Sequence, residues 1–384
     1  VLVALAAGLV GVLPRSSDVP PADGESRGVN GYPSRIEKPW FLRDLPERPG
    51  QIAATVELDD GRFLAVSASG GVWEIPQSRR ARDFFPSLSA DGRMIGYLRD
   101  QGTYVLRDLV SGEETEFDQV GDNVGNGRRA QTWWTQQQVP GFWSPDGSTQ
   151  LLSAWRWDDD RSNVVLLLGA DGSLREVERP AAVAYPLGWL DDGTLGWLAV
   201  EGRRREATVS LVVTTESGAD LRREPLSGTR PHGLNQWSGS LSPDGAVLSV
   251  TLPRIDSARV STFSTTDGSR LENDHTTMSL ASVCTTTWRG DEVVLPLIEG
   301  EIASLVSLSG ERVVAVDPAL GAYCVMTAAN ALGGERHRAV GDLFGTTWLS
   351  WHWREVLLGI LGAGALAGAF AWFLRRRGRR LRGA

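Results

Sequence analysis

Five stretches of this chain set an Asp-Gly pair between two apolar runs. They are ELDDGRFLAV at 57–66, SLSADGRMIGYL at 87–98, FWSPDGSTQLLSAW at 142–155, WLDDGTLGWLAV at 189–200 and SLSPDGAVLSVTL at 240–252. A degenerate sixth, TTWRGDEVVLPL, lies at 286–297. Gly takes positive φ without steric cost and Asp tolerates it, so each pair reads as the tight turn of a hairpin. The pairs start at 60, 91, 146, 192, 244 and 290, a mean spacing of 46 residues. A period of ~40–50 residues built from short strands marks the blades of a propeller.

A second turn follows in most units: Ser111-Gly112, Asp171-Gly172, Ser217-Gly218, Asp267-Gly268 and Ser309-Gly310. Between the two turns run β-rich stretches such as NVVLLLGA (163–170) and TVSLVVTT (208–215). After the second turn the chain becomes charged, as in LREVERP and LRREPL. The unit is thus four strands with a solvent-facing last strand. A lone sheet of this kind cannot bury both faces, so the units are expected to pack face to face around an axis. In the first unit, Gln77–Arg80 stands where the second turn's Gly is expected. Six units span 51–320, and Gly321–Leu332 begins like one more inner strand, placed to close the ring. The expected fold is an all-β propeller of six blades, seven being the alternative, over 51–332. A β-sandwich would not keep the paired turns in register over consecutive units.

The Trp-Ser-Pro-Asp-Gly sequence at Trp143–Gly147, with Ser242-Pro243-Asp244-Gly245 and Ser89-Ala90-Asp91-Gly92 as further copies, resembles the TolB-like and WD-repeat-like β-propellers. The resemblance covers roughly 51–320. It implies the fold and nearly nothing about activity, because propellers host many unrelated functions. The chain also looks like the membrane-tethered propeller proteins of actinobacteria. The segment YPSRIEKPWFLRDLPERPG (32–50) and the Trp-rich stretch before a terminal apolar run carry that likeness. It implies an address at the cell membrane rather than an activity.

Val356–Leu374 is an uncharged apolar run of 19 residues. At ~1.5 Å per residue it matches the ~30 Å hydrocarbon core of a bilayer. Trp348, Trp351 and Trp353 precede it within a juxtamembrane stretch (333–355), as expected at a membrane interface. The basic tail 375–384 follows, opening with Arg375, Arg376 and Arg377, and such clusters mark the cytoplasmic side. The expected location is therefore the cell membrane, with the propeller outside and the tail inside. Residues 1–14 are a shorter apolar segment, read as the remnant of a first transmembrane helix or as a signal-peptide core. Residues 15–50 are rich in Pro, Gly and charge and read as a linker or loosely wrapped segment.

Net charge is −8, and subtracting the six Arg of the tail leaves −14 for residues 1–374. An acidic body excludes nucleic acid as a partner, since that binding needs a basic surface. The expected partners are the membrane and an envelope glycan or protein. The two Cys, Cys284 and Cys324, fall in inner strands of successive units, where a disulfide or two buried thiols are the alternatives.

No motif for catalysis stands out. The four His (232, 275, 337 and 352) have no metal-binding spacing, and no nucleophile elbow is present. Asp158-Asp159-Asp160 lacks the spacing of a calcium loop, and no cofactor is expected. Trp133 and Trp134, in RRAQTWWTQQQ, interrupt the repeat and are expected on a blade-connecting loop. They suit carbohydrate or protein contact, with packing between blades as the alternative. Trp143, Trp189, Trp237 and Trp288 fall at inner-strand positions and read as blade packing. The function expected is a binding or sensing module without catalysis. An envelope hydrolase or lyase with a funnel site, and a scaffold for a membrane complex, are the alternatives.

Within the apolar run, Gly364 and Gly368 form a small-residue face beside Gly359, Ala363, Ala367 and Ala371. Small side chains four apart let a second helix approach closely, so self-association or pairing with the segment 1–14 is one reading, and the general abundance of Gly and Ala in this chain is the alternative. Replacing Gly364 and Gly368 with Leu keeps the run apolar and fills that face. Cross-linking in membranes is expected to fall, and an unchanged yield rules the face out.

Overall fold

The computed structural model describes residues 31–38, 42–77, 85–99, 103–121, 133–135, 141–156, 163–191, 193–202, 207–229, 238–253, 257–271, 275–278, 286–299 and 302–337. Within them the chain forms six blades of four antiparallel strands each, the innermost listed first below. Blade 2 runs Ser87–Leu88, Met94–Leu98, Tyr104–Asp108 and Glu114–Phe117. Blade 4 runs Ala184–Asp191, Thr194–Glu201, Thr208–Thr215 and Asp220–Pro225, and blade 5 runs Ser238–Leu241, Val247–Pro253, Ser257–Ser264 and His275–Met278. Blade 6 runs Thr287–Arg289, Glu292–Glu299, Ile302–Ser307 and Arg312–Val316. In blade 3, Thr149–Arg156, Asn163–Gly169 and Leu174–Val177 follow a first strand made of two pieces, Trp133–Thr135 and Phe142–Trp143, and the short strand Val120–Gly121 pairs in parallel with the first piece. His275 opens the outermost strand of blade 5.

Each sheet buries both faces, and the period of two decides which neighbour a residue meets. In blade 3, Leu166 and Leu168 pack with Leu98, Leu106 and Phe117 of blade 2. Val165 and Leu167, one residue away, pack with Leu195, Trp197 and Val212 of blade 4. Blade 4 repeats the division: Leu211 and Val213 turn to Leu248, Val250 and Phe263 of blade 5. The outermost strands need only one covered face. That explains their charged sequences and the exposure along Asp220–Pro225 and Glu114–Phe117. At the rim these strands clasp the next blade's second turn. Thr115 Oγ1 donates to Ala170 O (2.7 Å), Arg175 Nη1 to Glu216 O (3.0 Å) and Arg222 Nη2 to Thr265 O (2.8 Å).

Blade 1 differs from the repeat as read in the sequence. Its innermost strand is Ala322–Thr327, from the far end of the ring, and the leading end supplies Ile52–Leu58, Phe63–Ser67 and Val72–Glu74. The Asp60-Gly61 turn therefore joins the second and third strands rather than the first and second. Its second turn is at Ser67–Gly71, with Gly70 at φ +88°, not at Gln77–Arg80. The physical reason is closure: one blade must take strands from both ends, and the unit that does so is out of phase with the others.

The leading segment then straps the seam. Arg35–Ile36 pairs in parallel with Arg312–Val316 as a fifth strand of blade 6, and Ile36 is 1% exposed. Farther on, Glu74 N donates to Arg43 O (2.7 Å) and Leu45 N to Glu74 O (2.9 Å), along the outer edge of blade 1. Arg107 of blade 2 donates to Pro46 O (2.7 Å) and Glu47 O (2.6 Å). One segment thus touches blades 6, 1 and 2. Gly31–Pro33 also pairs with Glu335–His337, so the chain enters and leaves the ring at neighbouring points.

If blades interact only with their neighbours, truncations should couple only within one interface. Leu106→Ala, Leu166→Ala and Leu211→Ala are each expected to cost about 2–5 kcal/mol. The pair at Leu106 and Leu166, which share a cluster, should deviate from additivity by about 0.5–3 kcal/mol. Leu106→Ala with Leu211→Ala should add to within about 0.5 kcal/mol in denaturant titrations.

Candidate functional site

Three of the turns between first and second strands share one hydrogen-bond circuit. In blade 2, Ser89 Oγ donates to Asp91 Oδ1 (2.6 Å) and accepts from Met94 N (2.8 Å), while Asp91 Oδ1 accepts from Arg93 N (3.1 Å). Ser144, Asp146, Ser148 and Thr149 repeat it in blade 3, and Ser242, Asp244, Ala246 and Val247 in blade 5. The serine oxygen caps an amide that the turn would otherwise leave unpaired, and the aspartate locks the serine rotor. Hydrogen bonds to the charged form, led by the serine hydroxyl, hold Asp146 and Asp244 below the usual carboxylate range. Gly245, at φ +70°, lies so close to blade 4 that a Cβ would fall 2.6 Å from Leu190 O. The Ser-x-Asp-Gly signature thus fixes turns and blade contacts, not a ligand.

In blades 2–6 the two residues four and three positions before the turn's Asp face the ring axis. There the innermost strands enclose a cavity of about 350 Å³ lined by all six blades. Its hydroxyls come from Thr55, Ser87, Ser240, Ser242, Thr286, Thr287 and Thr327, and Asn330 adds an amide. Its aromatic surface comes from Phe142, Trp143, Trp189 and Trp288. No Asp, Glu, His, Lys or Arg is among the described lining residues.

Most of this wall is locked by bonds between blades. Trp143 Nε1 of blade 3 donates to Ser87 Oγ of blade 2 (3.2 Å), and Trp288 Nε1 of blade 6 donates to Ser240 Oγ of blade 5 (3.0 Å). Behind Ser87, the Gln150 amide donates to its hydroxyl and Tyr104 OH donates to Gln150 Oε1 (2.7 Å). Burial pushes the Tyr104 phenol up, so it remains a donor. Behind Ser240, Thr286 Oγ1 lies 2.7 Å from Ser240 Oγ and 2.5 Å from Ser249 Oγ. Trp189 occupies the equivalent place in blade 4 but faces Phe142 where the others face Ser. Its indole turns to Glu216 Oε1 in its own blade (3.0 Å). At the seam, Thr287 Oγ1 and Thr327 Oγ1 are 2.7 Å apart. Thr55 Oγ1 differs from these: it is buried and has no hydrogen-bond partner among the described residues.

The sequence candidates fall elsewhere. Trp133 and Trp134 lie in a strand, not in a loop: their backbone pairs with Arg156 and Trp155, extending the innermost strand of blade 3. Their side chains are outside the description. Cys324, in the closing strand, is disulfide-bonded and packs between blades 1 and 2; Cys284 lies outside the described residues. Trp348, Trp351, Trp353, Arg375, Arg376, Arg377, Gly364, Gly368, His232 and Asp158–Asp160 also lie outside them. Among the described residues no helix is long and apolar enough to cross a membrane, and no cluster of His, Cys, Asp and Glu could hold a metal. The cavity itself is not legible in the sequence because its residues fall in short stretches about 30–50 positions apart. The only signal was their shared offset from each turn.

The chain matches no family model and no curated protein. Among solved structures it is similar to TolB from Acinetobacter baumannii, at 14% identity and a TM-score of 0.46, covering 70% of this chain and 63% of that one. It therefore spans less than two thirds of the TolB chain's length. It is also similar to a chain of a nidogen/laminin complex (11% identity, TM-score 0.46, covering 73% of this chain and 100% of that one). An oligogalacturonate lyase in complex with manganese is a third (11%, 0.39, covering 72% and 76%). The six-bladed assignment rests on the strand pairing itself.

Ser242→Ala removes the cap on Val247 N and the donor to Asp244, and is expected to cost about 1 kcal/mol near neutral pH. Because the folded-state pKa of Asp244 is depressed, its contribution is present above the unfolded-state value and lost as pH falls through the folded-state value. The stability difference between wild type and variant, read by denaturant titration, should shrink toward acid pH. A difference independent of pH would exclude the Asp244 link.

Proposed function

We propose that this chain is a membrane-tethered extracytoplasmic binding module that recognises an envelope component at the mouth of its axial cavity. The observation that carries the proposal is a wall drawn from all six blades and set by inter-blade hydrogen bonds before any ligand arrives. Small-molecule sites are commonly of this kind: concave, largely pre-formed, ~300–1,000 Å³, mostly apolar with a few fixed polar groups. The described lining supplies hydroxyls, one amide and aromatic planes, which suit recognition better than acid–base chemistry. The tether follows from the apolar run 356–374 and the Arg cluster after it. Neighbouring points for the chain's arrival at and departure from the ring suit attachment from one side.

Two measurements test this. Protease added to intact cells is expected to digest the propeller and spare an epitope at the C-terminus; an epitope reachable from outside overturns the orientation. A photo-crosslinking side chain at Ala90 or Ala329, both on the cavity, is expected to capture an envelope component in intact cells. The same group at Leu221, 57% exposed on an outermost strand, should not. Capture at Leu221 alone, or nowhere, overturns the cavity as the binding site.

A further inference from the structure

Building on that recognition site, we propose that the axial cavity takes a small, uncharged, polyhydroxylated ligand: a polyol or a neutral mono- or disaccharide. Three observations converge. The first is the absence of ionisable side chains among the described lining. A charged ligand would give up its hydration there without a counter-charge, at a cost of several kcal/mol. The second is the mixture in the wall. Sugars and polyols present C–H faces and hydroxyl edges, and the lining presents Phe142 and Trp143 together with Thr327 and Asn330.

The third observation is the state of the hydroxyls. Ser87, Ser240, Thr286 and Thr287 already have protein partners. Thr55 has none, although it is 1% exposed. Among the described residues with a buried side-chain polar atom that lacks a partner, Thr55 is the one that lines the cavity. A buried hydroxyl left unpaired costs about 1–3 kcal/mol, and a ligand hydroxyl would recover that. Thr55 sits in the second strand of blade 1 opposite Met326 of the closing strand, so the ligand would contact the seam of the ring.

The test uses the full chain in a detergent without a sugar headgroup. Trehalose and myo-inositol serve as neutral probes, galacturonate and glucosamine as charged ones, and saturation-transfer NMR or calorimetry reads binding. Neutral probes are expected to bind and charged ones to bind at least tenfold more weakly. Thr55→Val and Thr327→Val keep the side-chain shape and should each weaken neutral binding about 3- to 10-fold. Ala90→Glu, which adds a carboxylate at the cavity, should abolish it. A single cooperative thermal transition in each Val variant confirms that the ring is intact.

Tighter binding of galacturonate or glucosamine overturns the ligand class. Neutral binding that survives all three substitutions overturns the site. No binding of any probe overturns the inference, and the crosslinking arm then separates the cases. Capture at Ala90 or Ala329 leaves the recognition site standing with a different ligand, whereas no capture removes both.

Discussion

A four-stranded sheet with apolar side chains on both faces has no stable life alone, and the rest of this structure depends on that constraint. Leu166 and Leu167 are neighbours in the chain yet serve different interfaces, with blade 2 and with blade 4. Every interior blade must therefore have two neighbours, and a row of such blades terminates only by closing. Closure falls on the pairing of Ala322–Thr327 with Ile52–Leu58, which makes one sheet from the two ends of the ring. Three independent features gather at that seam: the parallel strand Arg35–Ile36, the backbone contacts of residues 43–47, and the disulfide of Cys324. The rim clasps of blades 2–5 are one or two side-chain hydrogen bonds each by comparison. Reinforcement is concentrated where the chain's connectivity is broken, as expected if opening starts there.

Much of this ring was legible in the sequence because turns are written locally. Asp-Gly and Ser-x-Asp-Gly encode positive φ and a side-chain cap within six residues, and the third strands read as runs rich in β-branched residues, as at Thr208–Thr215. The fully buried middle strands and exposed outer ones follow from composition alone. What was not legible is what depends on distant partners. The ELDDGRFLAV copy looks like the others, but the strand on its inner side comes from residues 322–327. Nothing near Asp60 records that. Trp133 and Trp134 break the rhythm of the repeat and were placed in a loop, whereas they continue the strand of Phe142–Trp143 across a gap. A repeat-based register has no place for an inner strand in two pieces.

The cavity illustrates the same limit. Each contributing pair, such as Ser87-Leu88, Phe142-Trp143 or Ser240-Leu241, is unremarkable in its own stretch. Their meaning comes from alternation around the ring. A Trp in one blade finds a Ser in the preceding blade at two interfaces, and finds Phe142 at a third, where the indole turns instead to Glu216. Comparing the residue before each Trp with its counterpart one period earlier would have shown this pairing. The relay also explains why the inner Trp residues do not need a ligand or cofactor to account for them.

Charge and shape together narrow what such an axis can admit. The body of the chain carries a net −14 outside the Arg-rich tail, so anions are repelled on approach over about a Debye length, ~10 Å at 0.1 M salt. Cations are drawn to the surface but find no described carboxylate in the cavity to replace their hydration. The surface field disfavours one sign, and the described lining, which holds no charged side chain, disfavours both. A neutral molecule escapes both penalties, and it gains from an interior whose donors and acceptors are already oriented by Gln150, Tyr104, Ser249 and Thr286. Selectivity of this kind needs no charged contact at the site. It comes from withholding the partner that a charged competitor would require.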